Sequence, residues 1–309
     1  MSLDLEFDDA QEAIATTLEQ FCRDRCTEDA LSAVEGKFPS DLWWDLAELG
    51  VLGVASEEGG GGALEVAAAM EALGHAIFPG PLVASFFATQ VLPEDLCSTV
   101  AMGKSVVALG APPLMPWAPV AQLFIEIDGH RAWTARPVGE IEPVRTLGGE
   151  PWGRLELERK TELAGVERAR MLADIARAAY LSAAGQRLVE DASAHARVRV
   201  QFGRPIGEFQ AVAHPLADCA TRLAAARNLA RVAAFGFDAR DATAGSTSSA
   251  ARLSASGAAL AAVYVCHQVF GAVGITLEGP VFRISQRVRQ LVSLPPAPIY
   301  ESLLADLGL

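Results

Sequence analysis

The chain has 309 residues, 51% of them hydrophobic, and a formal net charge of -13 at pH 7. That length supports a large buried core and about two domains, while the acidic balance disfavours nucleic acid and anionic membrane surfaces as partners. The longest apolar run, Gly257 to Cys266, is broken by His267 and Gln268, short of the roughly 20 residues a membrane span needs, and is expected to be a buried helix.

Acidic residues open the chain where a signal or transit peptide would be basic, so a cytoplasmic protein is expected. From Asp8 to about Met102 apolar positions such as Ile14, Leu18 and Phe21 recur at spacings of three and four, which predicts a helical amino-terminal domain over 1–104. Cys22 and Cys26 lie four apart on one of these helices. No CxxC pair or histidine cluster accompanies them or Cys97, Cys219 and Cys266, so they read as core thiols and no metal site is expected. Pro39-Ser40-Asp41 opens a helix that Gly50 and Gly53 end. The run Glu57 to Gly62, with four consecutive glycines, reads as a flexible connection before a helix over Leu64 to His75. It lacks the lysine and the strand context of a phosphate cradle.

Short β-like runs at Ser105 to Leu109, Leu123 to Ile127 and Arg154 to Leu157 predict a reduced β module over 105–160. An Ala-rich helical pattern then fills 161–309, interrupted at 202–208 and 241–246, as expected of a four-helix bundle. The fold class is therefore mainly α: a helical amino-terminal domain, a reduced β module and a carboxy-terminal four-helix bundle.

Two segments of the bundle carry the most information. Arg199-Val-Gln-Phe-Gly-Arg-Pro-Ile-Gly-Glu-Phe-Gln-Ala-Val-Ala-His-Pro-Leu-Ala-Asp218 and Gln268-Val-Phe-Gly-Ala-Val-Gly-Ile-Thr-Leu-Glu278 resemble signature segments of the acyl-CoA dehydrogenase family. Leu46 to Gly53, the Gly-rich run and Met70 to Ala76 resemble its first domain, and the order helical, β, helical is also the family's. The resemblance implies FAD as cofactor, held partly by a neighbouring subunit's bundle. It assigns Arg199 to the FAD pyrophosphate, a sensible role for a guanidinium that binds phosphate through two charge-assisted hydrogen bonds. Phe202 and Gln210 fall beside the adenine end, and Gln268 and Gly271 approach the adenosine and pyrophosphate. The family's second glycine is replaced here by Ala272. His214 reads as structural, and His75, His130 and His195 show no partner pattern.

The family reaction needs a carboxylate base to remove the α proton of an acyl-CoA thioester while hydride leaves the β carbon. The three base positions that the resemblance implies fall on Ala173, Tyr180 and Pro295, none a carboxylate. Glu301, in Ile299-Tyr-Glu-Ser302, sits six residues late behind a proline-rich turn and is a weak candidate. Glu167 and Glu190 read as a solvated helix face. In the family a loop and a strand of the β domain touch the isoalloxazine; the resemblance places the equivalent region at Leu109 to Trp117, in a module too short to include both, and Trp133 and Trp152 read as core or strand-face residues. The resemblance thus points to the base-lacking, shorter subunit of a heteromeric, steroid-catabolic type of acyl-CoA dehydrogenase, sharing FAD with a longer subunit in an α2β2 heterotetramer. Two other readings stand beside it: a self-sufficient homo-oligomeric dehydrogenase using Glu301 or another carboxylate, and a non-catalytic assembly protein.

Overall fold

The computed structural model describes residues 5–146, 148–276 and 279–294. Pro295, Glu301 and Glu278 lie outside the described residues.

Six helices come first: α1 (Asp9–Arg25), α2 (Glu28–Ala33), α3 (Ser40–Glu48), α4 (Ala63–His75), α5 (Leu82–Val91) and α6 (Glu94–Ala101). The Asp8 carboxylate starts α1 by accepting from the backbone N–H of Ala10 and Gln11, and the Gln11 side chain accepts from the Asp8 N–H. Leu18 and Cys22 are then buried, with Ile14 and Phe21 packed beside them. α3 buries Leu42, Trp43 and Leu46 and stops at Gly50, which takes the left-handed conformation at φ 75°.

The Gly-rich run is a built turn rather than a flexible connection. The Gly61 N–H bonds the Val54 carbonyl at 3.0 Å, and a Cβ on Gly59 would lie 2.1 Å from the Gly53 carbonyl oxygen. At its end, the N–H groups of Ala63 and Leu64 bond the Asp238 carboxylate from the far end of the bundle, at 2.8 and 3.1 Å. That carboxylate caps α4 in the way a local Asp or Ser would.

A five-stranded sheet follows, in the order β1-β3-β4-β5-β2, with β1 (Val107–Gly110), β2 (Leu114–Pro116), β3 (Leu123–Asp128), β4 (Arg131–Val144) and β5 (Trp152–Glu162). β1 and β3 are parallel, and the other pairs antiparallel. The three runs read from the sequence correspond to β1, β3 and β5. β4, the longest strand, was not among them, because only Ala132 and Trp133 on it are buried and its remaining residues lack an apolar alternation. Trp133 is a strand-face residue: the Arg159 guanidinium lies 3.9 Å from its ring centre and that of Arg131 4.9 Å away.

Four further helices follow among the described residues: α7 (Val166–Val198), α8 (Gln210–Asp238), α9 (Ala244–Phe270) and the shorter α10 (Pro280–Ser293). Residues Leu172 to Gly185 of α7 are buried on every side, packed by α4, α5, α8, α9 and α10. Gly74 of α4 lets the two backbones meet, since a Cβ there would lie 2.4 Å from the Tyr180 carbonyl oxygen. By length and composition the helical stretch Ala244–Ile275 could cross a bilayer. Here it is a bundle helix whose Ala251, Ala255, Ala259, Ala262 and Cys266 are fully enclosed.

Candidate functional site

The residues assigned to FAD gather at one end of the bundle, where α7 ends, α8 begins and α9 stops. Past α7 the chain makes a two-residue hairpin, pairing Val200 with Pro205 and Gln201 with Arg204. Its turn residues Phe202 and Gly203 both have positive φ, 55° and 82°. A bulky residue in that conformation is strained, by about 1–2 kcal/mol. Phe202 is nonetheless 93% exposed, so packing within the chain does not account for it. The second phenylalanine, Phe209, lies nearly perpendicular to it with ring centres 6.1 Å apart and carries the Arg204 guanidinium over its ring at 4.2 Å.

Arg199, Gln210, Gln268 and Gly271 are also exposed. Among the described residues the Arg199 guanidinium has no ion pair or hydrogen bond, and the side-chain amides of Gln210 and Gln268 have none either. Gly271 adopts φ 60° and ψ -133°, a backbone conformation that favours glycine, and nothing lies within 4 Å of the place a Cβ would take. The surface therefore offers an uncommitted cation, two amides and an open stretch of backbone, a donor set that fits a pyrophosphate with a nucleoside attached.

One residue the sequence left without a partner ties this end together. The His195 ring, one turn before Arg199, stacks on Phe270 with centroids 4.5 Å apart, joining the ends of α7 and α9. Burial and the nearby Arg199 push its pKa below the ordinary imidazole value, so near neutral pH it stays uncharged. His75 and His130 also have partners, in Glu190 at 2.8 Å and Arg170 at 3.4 Å. His214 is exposed without one among the described residues. Replacing Phe202 by Asn separates local strain from function. Asn-Gly is favoured in such a turn, so unfolding should shift up by about 1 kcal/mol. A fall in melting temperature would show that the ring packs within this chain.

The base positions that the resemblance implies lie elsewhere, in a closed junction. Ala173 and Tyr180, the two described base positions, are buried in the middle of α7. The Tyr180 hydroxyl donates to the Phe78 carbonyl at 3.0 Å, and the Arg287 Nε donates to that same hydroxyl at 3.3 Å. Arg287, from α10, also bonds the Gly80 carbonyl at 3.1 Å and pairs with Glu150. Glu150 accepts from the Gln290 amide, which in turn accepts from Thr146 at 3.0 Å. Burial pushes the Tyr180 phenol well above its ordinary range, and the Arg287 guanidinium down to about 9.

This network fills the junction of the first domain, the sheet and the bundle. Two small cavities remain beside it. One of about 60 Å³ is bordered by Trp117, Glu150 and Arg287, and one of about 40 Å³ by Leu109, Pro116 and Trp117 from the region equivalent to the family's flavin-contacting loop. Ligand pockets run to roughly 300–1,000 Å³. A three-ring flavin does not fit there. The two carboxylates of α7 that the sequence reads as a solvated face lie at the surface: Glu167 is exposed, and Glu190 pairs with His75.

Two family models match this chain. The acyl-CoA dehydrogenase N-terminal domain matches residues 8–93, and the acyl-CoA dehydrogenase C-terminal domain matches residues 164–292. The chain belongs to the acyl-CoA dehydrogenase family. It is 29% identical over 305 residues to the acyl-CoA dehydrogenase IpdE2 of Mycobacterium tuberculosis, covering 93% of this chain and 92% of that one.

Two solved structures share the acyl-CoA dehydrogenase fold over nearly the whole length. One is a variant of the Tcur3481-Tcur3483 steroid dehydrogenase, with a TM-score of 0.84, 23% identity and coverage of 97% of this chain and 98% of that one. The other is the ChsE4-ChsE5 complex from Mycobacterium tuberculosis, with a TM-score of 0.81, 21% identity and coverage of 99% and 98%. At these identities the likeness is one of fold.

Proposed function

We propose that this chain is the smaller subunit of a heteromeric FAD-dependent acyl-CoA dehydrogenase, which desaturates a bulky, steroid-derived acyl-CoA thioester at its α,β bond. A longer subunit of the same family supplies the flavin-ring site and the catalytic carboxylate in an α2β2 heterotetramer. The same reading keeps the protein in the cytoplasm.

The observation that carries this is the contrast between two regions of the chain. Arg199, Phe202, Gln210, Gln268 and Gly271 are exposed, and the side chains of Arg199, Gln210 and Gln268 have no partner among the described residues, whereas the junction beside Tyr180 is filled by Arg287 and Glu150. Exposed apolar side chains on the same elements support a covering partner, among them Val198, Val200 and Phe202, with Val273 and Ile275 just past α9. Support for the substrate class comes from the steroid dehydrogenase among the fold relatives, and support for pairing from the ChsE4-ChsE5 complex.

Bound FAD would supply the hydride acceptor for the β hydrogen. The work of this chain is to hold and orient the far end of that molecule. Arg199 offsets the pyrophosphate charge through its fork of N–H donors, and Gln268 and Gln210 offer hydrogen bonds toward the adenosine. The hairpin presents the Phe202 ring outward as a stacking face, and the His195–Phe270 stack keeps the Arg199 and Gly271 segments in register.

The test concerns the base. In the assembled enzyme, Glu301→Gln in this chain should leave turnover within about twofold, and replacing the carboxylate that faces the thioester in the longer subunit should cut it by about 10⁴ or more. A comparable collapse caused by Glu301→Gln would restore the self-sufficient reading.

A further inference from the structure

Arg177 sits on α7, three residues before Tyr180, in the stretch of that helix buried on every side. Only 8% of its surface is exposed. Among the described residues it has no hydrogen bond and no ion pair, and its Nε is fully enclosed without a partner. The neighbouring buried guanidiniums differ. Arg252 bonds Asp174 at 2.8 Å, and Arg287 pairs with Glu150. Asp174, the acid nearest in sequence to Arg177, is therefore already engaged.

An isolated buried charge costs several kcal/mol unless something pairs with it. Burial and the Arg252 charge push the Arg177 guanidinium down to about 9. Its side chain lines the cavity of about 40 Å³, together with Tyr180, Trp117, Leu82, Val83 and Leu291. One water needs roughly 10–15 Å³ on a similar measure, so the space admits a few heavy atoms and no more.

The guanidinium selects the chemistry of the occupant. Its Nε is enclosed, but its two Nη atoms are not, and their paired N–H donors match the two oxygens of a carboxylate. The wall also carries Glu150, Arg287 and Tyr180 and is otherwise apolar. We propose that this cavity is a binding site for a small monocarboxylate of about acetate size, seated bidentate on Arg177 with its alkyl end toward Leu82, Val83 and Leu291. The site is distinct from the exposed Arg199 surface and does not depend on the flavin reading.

The probe is acetate itself, titrated into the full chain in its assembled form at ionic strength held constant with sulfate. The melting temperature of the wild type should rise saturably, by about 2 °C at tenfold excess over the dissociation constant, and that of Arg177→Met should not. Chloride should need at least tenfold higher concentration for the same rise. An equal rise in both proteins, or no saturable rise in the wild type, overturns the site. Chloride acting as tightly as acetate overturns the carboxylate assignment. If Arg177→Met does not accumulate, line broadening of ¹³C-acetate by the wild type decides: saturation at one site per chain, reversed by unlabelled acetate, supports the site, and its absence overturns it.

Discussion

Arg199→Ala in the assembled enzyme is expected to weaken FAD binding by about 30- to 100-fold while leaving the melting temperature of this chain almost unchanged. The size follows from hydrogen bonds to charged groups, which contribute roughly 1.5–3 kcal/mol each when truncation strands the partner. Stability is spared because the Arg199 side chain is exposed and has no partner among the described residues, although its backbone holds the hairpin through the Ile206 N–H at 2.8 Å. Arg199→Lys should recover part of the affinity, since a point charge replaces a fork that grips two oxygens. Flavin retention across a dilution series, read beside thermal unfolding, checks both halves. Unchanged retention in Arg199→Ala would remove the pyrophosphate role.

Arg287→Met should behave in the opposite way and strike stability first. It leaves the Glu150 carboxylate buried without its cation and takes donors from the Gly80 carbonyl and the Tyr180 hydroxyl. Breaking a buried pair from one side costs about 3–5 kcal/mol. The double change Arg287→Met with Glu150→Leu should regain most of that loss, since the two charges then vanish together. Equilibrium unfolding of the wild type, the single variants and the double variant gives the coupling. Near-additive effects would mean that the two residues do not plug the junction jointly. A double variant that also gained bound flavin would show that the plug had displaced a ring site still latent in the fold.

Most of the architecture is legible in the residue pattern. Helical spacing gives α1, α3 and α4, and the order helical, β, helical follows from changes of texture alone. β4 escapes because its outer part projects beyond the core, so its sequence carries no alternation of apolar residues. The turn at Gly59 to Gly62 reads as flexible because its order comes from distant groups, the Asp238 carboxylate above all, 175 positions from Ala63.

The candidate site divides the same way. The Arg199 and Gln268 segments are recognisable from local order, and the structure brings both to one end of the bundle. The His195–Phe270 stack that joins them needs two helices whose packing no local pattern states. The filled junction is less legible still. The sequence shows Tyr180 where a base is absent, but the plug from Arg287 comes from 107 positions away and its Glu150 partner from the sheet side. That Tyr180 is no carboxylate is readable from the sequence, and the closed space around it is not.

Flavin content is the most direct measure of whether this chain holds half a site. Purified alone, it should carry no stoichiometric FAD, and copurified with a longer dehydrogenase subunit the pair should carry FAD that Arg199→Ala depletes. A chain that is yellow by itself and oxidises an acyl-CoA in the presence of an electron acceptor would contradict the account.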